Sequence, residues 1–253
     1  MAESRSTFHF KGFSLEHGDP GLKIGTEACI FGAYLAKWAH GNMLEIGTGS
    51  GVLAAMVAQF HSQETIDTVE IFPEVAQLAR KNFEELPFKQ NIYLIEGDIK
   101  DYKTETKYDF IFSNPPFFIN HLSNSSKSKQ TAMHSDELSP EQLLEAIFKH
   151  SKPDFDFAVL YPPDVMDEVV KSTSCNPCGC NQFGCNHSDY QKISCKERIE
   201  IIPNENGKVL REIALFSTEQ SETKHSKLVI KNTLNEYTPE FIDLLRPYYI
   251  IFP

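Results

Sequence analysis

The chain has 253 residues, 41% hydrophobic and 23% charged, with 24 Lys+Arg against 35 Asp+Glu and a formal net charge of −11. That length can bury a sizeable core in one large domain or two small ones, and the composition excludes collagen-like and low-complexity classes. The acidic balance excludes a generic basic nucleic-acid coat and leaves a local basic groove open. No apolar run approaches the roughly 18 residues of a membrane span. Residues 1–10 lack the charged-then-apolar pattern of a signal peptide, so a cytoplasmic chain without a membrane partner is expected.

In chain order, Phe8, Phe10 and Phe13 alternate as in a short strand or edge ribbon. Residues 27–39 carry a helical apolar face, and Gly41-Asn42 marks a turn. Met43 to Ile46 reads as a buried strand that runs into Gly47-Thr48-Gly49-Ser50-Gly51, and Val52 to Phe60 continues as a helix. Thr65 to Ile71 is a second strand, and Pro73, tolerated in a first helical turn, opens a helix through Phe83. Asn91 to Glu96 is a third strand closed by Gly97-Asp98, and Tyr108 to Ser113 a fourth ending at Asn114-Pro115-Pro116-Phe117. A polar loop over Asn120 to Ser135 precedes a helix over Pro140 to His150, a fifth strand over Phe155 to Tyr161 and a helix from Pro163. Glu197 to Ile202 and Val209 to Phe216 flank Asn204 to Lys208, a hairpin signal. Strands alternating with helices predict an α/β fold: one doubly wound domain over 1–253, with a parallel sheet, helices on both faces and an antiparallel close. Residues 1–25 read as an N-terminal extension and 173–195 as a cysteine-rich insertion.

The glycine loop lies between a strand and a helix, where glycines let the backbone turn tightly and approach a ligand beside the helix N-terminus. Glu70 ends the next strand, where an acid binds ribose hydroxyls. The spacing disfavours phosphate chemistry: Gly51-Val52-Leu53 lacks the Lys-Ser/Thr of a P-loop, and Val52 stands where a dinucleotide fingerprint has its last glycine. Glu45, just before the loop, would repel a pyrophosphate and suits an amino group, as in a ligand with an amino acid moiety such as S-adenosylmethionine. After the fourth strand, two prolines fix the backbone of Asn114-Pro115-Pro116-Phe117. The Asn114 amide and the Pro115 carbonyl then offer two fixed acceptors, and Phe117 a face on which a base stacks. An exocyclic amine has two protons to donate to such a seat.

Together these two motifs resemble the class I, S-adenosylmethionine-dependent amino-methyltransferases that carry an N/D-P-P-F/Y motif. Phe10-Lys11-Gly12-Phe13, Lys23-Ile24-Gly25-Thr26-Glu27 and Phe31-Gly32-Ala33 are similar to the opening of the tRNA-Val adenine-37 N6-methyltransferases. Tyr237-Thr238-Pro239-Glu240 and Pro247-Tyr248-Tyr249-Ile250 resemble that family's tail, so the likeness covers most of the chain outside 173–195. The resemblance implies a Rossmann-like seven-stranded sheet and methylation of the N6 amine of adenine 37 in the anticodon loop of a valine tRNA. The alternative is another RNA or a protein glutamine as substrate. It further implies that the loop from Glu45 through Gly47 and Gly49 to Gly51 holds the methionine part of the cofactor and Glu70 its ribose. Asp98 and Ile99 would read its adenine, while Lys23, Thr26 and Glu27 would line the entrance. Asn114 and Pro115, with Pro116 and Phe117, would hold the flipped-out base, Asn114 also bordering the cofactor.

Candidate phosphate contacts are Lys127, Lys129, Arg5, Lys11 and Lys23, with His134 a surface or substrate-contact residue rather than a base. Of six cysteines, five lie between Cys175 and Cys195. Cys175, Cys178, Cys180 and Cys185 are enough soft ligands for a tetrahedral zinc site, yet only the first two have ordinary zinc-knuckle spacing and the resembling family holds no metal. No metal is therefore expected, and the segment reads as a polar insertion. Cys29 reads as a small core residue, and the protein as a monomer.

Overall fold

The computed structural model describes residues 7–18, 23–115, 138–174 and 192–253. Among the residues singled out above, Arg5, Pro116, Phe117, Lys127, Lys129, His134 and the four candidate metal cysteines lie outside these described residues.

The chain opens with a two-stranded antiparallel ribbon, β1 (Thr7–His9) and β2 (Ser14–Glu16). Helix α1 (Thr26–Trp38) leads to β3 (Met43–Ile46), which is buried at all four positions. Helix α2 (Val52–Ala58), made of Val, Leu, Ala and Met alone, is also buried at every residue, as a helix apolar all round must be. Strand β4 (Ile66–Glu70) precedes α3 (Pro73–Glu84), with proline in its first turn, and then come β5 (Ile92–Glu96) and β6 (Tyr108–Ser113). Helix α4 (Pro140–His150) starts with a capping box: the Ser139 hydroxyl accepts from the Gln142 amide at 3.2 Å while the Ser139 amide donates to Gln142 Oε1 at 2.9 Å. The remaining elements are β7 (Ser151–Tyr161), α5 (Pro163–Ser174), β8 (Ser194–Asn204), β9 (Arg211–Ser217), β10 (Lys224–Lys231) and α6 (Pro239–Leu245).

The main sheet runs β10-β8-β9-β7-β6-β3-β4-β5. Strands β3 to β7 pair in parallel, and β9 lies antiparallel between β7 and β8. The seven strands implied by the resemblance are thus extended by an eighth, β10, parallel to β8. Its sequence, KHSKLVIK, has only the short apolar run Leu228 to Ile230, because it is an edge strand that buries just Leu228 and Ile230. Lys224 and Lys227 stand 3.4 and 3.0 Å from Glu197 and Glu200 of β8, and such charges on an edge also discourage pairing with a further strand.

Alternation along the strands divides the core into two layers. Met43, Ala158 and Leu160 face a layer with α1, α2 and α6, whereas Leu44, Ile46, Phe157 and Val159 face one with α4 and α5. In the second layer Phe157 and Phe216, cross-strand partners of β7 and β9, stack at 4.6 Å with an 8° interplanar angle. The ribbon closes against the C-terminal segment: the Lys11 amide donates to the Tyr248 carbonyl at 2.8 Å, and its ammonium donates to the carbonyls of Arg246 and Phe252. The Lys11 ammonium, expected on a phosphate, thus bonds main-chain carbonyls of the C-terminal segment, although the residue is exposed. Among the described residues no helix is long and apolar enough to cross a membrane.

Truncation of Phe157 to Ala removes the centre of the second layer and is expected to cost about 3–5 kcal/mol. Urea unfolding would read this as a lower midpoint with an unchanged slope. Gly51, which caps α2, has φ 83°, and a Cβ there would stand 2.4 Å from Phe83 Cε1. Gly51→Ala should therefore lose more than the roughly 1–2 kcal/mol of a left-handed backbone alone, visible as a lower melting temperature without any ligand.

Candidate active site

The order of the sheet reverses at β3: β4 and β5 extend to one side, β6 and β7 to the other. Ligands of open α/β sheets sit in the crevice at such a switch point, beyond the carboxyl ends of the strands. Ile46 and Ser113 are register partners at the ends of β3 and β6, and the buried Ser113 hydroxyl donates to the Ile46 carbonyl at 2.7 Å. The glycine loop and Asn114-Pro115 therefore leave the sheet side by side. Asn114 is half-buried and Pro115 buried.

The loop hooks onto β4 through the Gly47 and Thr48 amides, which donate to the Val69 carbonyl at 2.9 and 3.3 Å. It closes with the Gly51 amide on the Thr48 carbonyl at 2.9 Å. Gly47 and Gly49 have φ of 81° and 57°, and a Cβ on either would meet nothing within 4 Å. The direction in which their side chains are missing is open, so a ligand can lie against bare backbone there.

Glu45 is 1% exposed, and neither carboxyl oxygen has a hydrogen-bond partner among the described residues. Its register partner Thr68 and the loop residue Thr48 likewise carry buried hydroxyls without a partner. Burial, then the negative charge of Glu70, pushes the Glu45 carboxyl well above the ordinary carboxylate range, and the nearby Ala54 amide offsets only part of this. A buried acid in that position is short of a cation.

Glu70 is also buried, but its oxygens accept the Gly49 amide at 2.9 Å and the Phe72 amide at 3.1 Å. Burial still raises its carboxyl, against the pull of those amides. It both shapes the loop and keeps lone pairs for hydroxyl donors. The Gly97 amide donates to the Glu70 carbonyl at 2.8 Å, tying the ends of β4 and β5 together. Beyond it, Asp98 Oδ1 accepts the Lys100 amide at 2.9 Å and Oδ2 lies 3.1 Å from the Lys100 ammonium. The Ile99 side chain is buried with Leu44, Ile46 and Val69, so only its main chain can read a ligand edge.

Lys23 and Thr26 are exposed and Glu27 is half-buried, on the segment that starts α1. The Ile24 amide donates to Nδ1 of the buried His17 at 3.2 Å, and burial, with the Lys23 charge, lowers the His17 pKa. Cys29 lies in the core, and burial pushes its thiol up to about 12. The structure thus brings Glu45, Gly47, Gly49, Gly51, Glu70, Asp98, Asn114 and Pro115 to the carboxyl ends of four neighbouring strands. No group of His, Cys, Asp or Glu able to hold a metal is found among the described residues.

One residue of this region was not read from the sequence. Asn82, on α3, is 1% exposed; its side chain donates to the Ser50 carbonyl at 2.9 Å and the Glu16 carbonyl at 3.2 Å and accepts the Glu16 amide at 2.8 Å. The available signal was a polar residue on a stripe otherwise made of Val75, Ala76, Leu78, Ala79 and Phe83.

Residues 20–136 match the family model of the methyltransferase small domain. Along nearly its whole length the chain is similar to proteins named tRNA1(Val) (adenine(37)-N6)-methyltransferase. It is 30% identical to that of Pedobacter heparinus over 248 residues, 98% of this chain and 100% of the relative. It is 31% identical to that of Cytophaga hutchinsonii over 252 residues, 98% of this chain and 99% of the relative. In fold it is similar to the crystal structure of a predicted O-methyltransferase from Agrobacterium tumefaciens, with TM-score 0.62, 16% identity, and 87% of this chain and 95% of that one covered. It is also similar to the Bacillus cereus O-methyltransferase solved with SAH, with TM-score 0.51, 16% identity, and 79% and 84% covered. With its class I sheet and this full-length similarity, the chain belongs to the tRNA1(Val) (adenine(37)-N6)-methyltransferase family.

Proposed function

We propose that the chain transfers the methyl group of S-adenosylmethionine to the N6 amine of adenine 37 in the anticodon loop of a valine tRNA. The observation that carries this reading is the junction of the glycine loop, with its unpartnered Glu45, and Asn114-Pro115 through the Ser113–Ile46 hydrogen bond. The names of its full-length relatives support the substrate.

The residues fit that cofactor. Glu45 lacks a cation, the Gly47 and Gly49 backbone is open, and Glu70 has lone pairs to spare for a diol. Glu45 would take the ammonium of the methionine part and Glu70 the ribose hydroxyls. Asp98 and the Ile99 main chain would read the adenine, and Lys23, Thr26 and Glu27 would line the way in. When bound, S-adenosylmethionine supplies an electrophilic methyl on a sulfonium sulfur.

The substrate amine is a poor nucleophile because its lone pair is delocalised into the ring. The Asn114 amide oxygen and the Pro115 carbonyl accept its two protons, which favours a tetrahedral nitrogen and aims the lone pair at the methyl carbon. With the methyl donor bound, the new N–C bond would form as the donor's C–S bond breaks, and the surplus amine proton, handed to no side chain, would leave to solvent. No strong base is needed, so the chain contributes mostly orientation and fixed dipoles. Pro116 and Phe117, by their place in the motif, would continue the seat, with Phe117 stacking on the base. Extrusion of a base costs a few kcal/mol, less in a loop than in a duplex.

Incubation with labelled S-adenosylmethionine and unmodified total tRNA, followed by nuclease digestion and mass spectrometry, tests the reading. Methyl at adenine 37 of a valine tRNA is expected; methyl on another RNA or on a protein glutamine would overturn the substrate. Asn114→Ala should lower kcat by roughly 10²–10³-fold, the size of losing one fixed transition-state partner, and leave cofactor affinity, read by calorimetry, largely intact.

Glu45 also makes stability depend on pH. Its native pKa lies above the ordinary value of 4.5, so the native state holds a proton that the unfolded state releases. The ligand-free protein should lose melting temperature as pH rises from about 5 into the neutral range. Glu45→Gln should reduce that dependence to the part that Glu70, also raised by burial, contributes, while abolishing binding of S-adenosylhomocysteine.

A further inference from the structure

We propose that Asn82 is a positioning residue that couples the N-terminal ribbon to the cofactor loop, so that the ribbon sets the affinity for the cofactor. The inference rests on the cofactor reading above and adds a part of the chain far from the two motifs. The Asn82 carboxamide is fully engaged: its nitrogen donates to Ser50 of the loop and Glu16 of β2, and its oxygen accepts the Glu16 amide. It thus reproduces, with one side chain, a pair of strand-like hydrogen bonds to β2 and a third to the loop.

The loop has little else to hold its outer side. Gly47 and Thr48 are bonded to β4 and Gly49 to Glu70, but the Ser50 carbonyl is met by Asn82 from α3. The next residue on α3, Phe83, stands directly against Gly51. A two-stranded ribbon is marginal by itself; this one is fixed by Asn82 and by the burial of Phe10, Phe13 and Leu15, while the exposed ion pair of Lys81 with Glu16 at 2.5 Å adds little. His17, following Glu16, holds the Ile24 amide on the entrance segment. One covalent step thus separates the residue bonded to Asn82 from the one that steadies Lys23 to Glu27. Coupling of this kind is reciprocal: what holds the loop in its binding shape raises affinity, and binding must tighten the ribbon equally.

The test compares wild type, Asn82→Ala and Asn82→Asp in the full chain, with Lys81→Ala as a control that breaks only the exposed ion pair. Asn82→Asp keeps an acceptor for the Glu16 amide and loses both donors, which serves if the alanine variant folds poorly. Calorimetry with S-adenosylhomocysteine should give affinity roughly fivefold to thirtyfold weaker for both Asn82 variants and unchanged for Lys81→Ala. In methyl transfer the loss should fall on KM for the cofactor and not on kcat. Hydrogen exchange should show the amides of 14–17 and 49–52 losing protection together in the Asn82 variants, and those of 14–17 gaining it when wild type binds ligand.

Lower melting temperature with unchanged affinity, or loss of protection confined to the ribbon, would overturn the coupling. Wild type that fails to bind S-adenosylhomocysteine would instead overturn the cofactor reading. In that case, joint loss of protection in the ligand-free variants would still separate a mechanical link from none.

Discussion

An acid buried without a counter-charge organises the centre of this molecule. Glu45 sits on β3, 1% exposed, with no side-chain or charged partner among the described residues, and burial raises its carboxyl toward the uncharged form. Thr48 and Thr68 beside it carry buried hydroxyls that likewise have no partner among the described residues. Glu70, the second acid, binds the glycine loop's own Gly49 amide. The site therefore holds two carboxyls in different conditions: one waiting for an ammonium, one shaping the backbone and able to accept hydroxyls.

The second constraint is where the sheet changes direction. Because β3 pairs in parallel with both β4 and β6, the loops leaving β3 and β6 flank one crevice, and the Ser113 hydroxyl fixes their spacing. Donor and acceptor of a methyl group can be aligned by such a frame without a dedicated base, since the required groups are a main-chain carbonyl and an amide side chain. Chemistry of this type asks for rigidity, which Pro115 and the buried end of β6 supply.

Much of this was legible in the sequence because it depends on residues with few substitutes. Glycines at positive φ, prolines at fixed φ and an acid at a strand end announce a site by identity and spacing alone, and the parallel order followed from alternating strand and helix signals. Strand β10 was not legible: it buries two residues on an edge and otherwise presents lysines, so its pattern resembles a surface loop. Asn82 was not legible as a brace, since its partners are main-chain atoms of Glu16 and Ser50, distant in sequence and independent of side-chain identity. The lysine assigned to phosphate, Lys11, shows the same limit, its charge being directed at carbonyls of the C-terminal segment.

That last contact has a consequence for the order in which the protein matures. The ribbon is closed by Arg246, Tyr248 and Phe252, residues made more than two hundred positions after Lys11. During synthesis the sheet strands β3 to β6 and the glycine loop emerge early, and Asn82 on α3 can already hold β2, but the Lys11 contacts wait for residues 246–252. A nascent chain can therefore hold a nearly complete sheet while the Lys11 contacts are still unmade. The order of synthesis thus sets the two holds on the ribbon apart in time, the one from α3 before the one from residues 246–252.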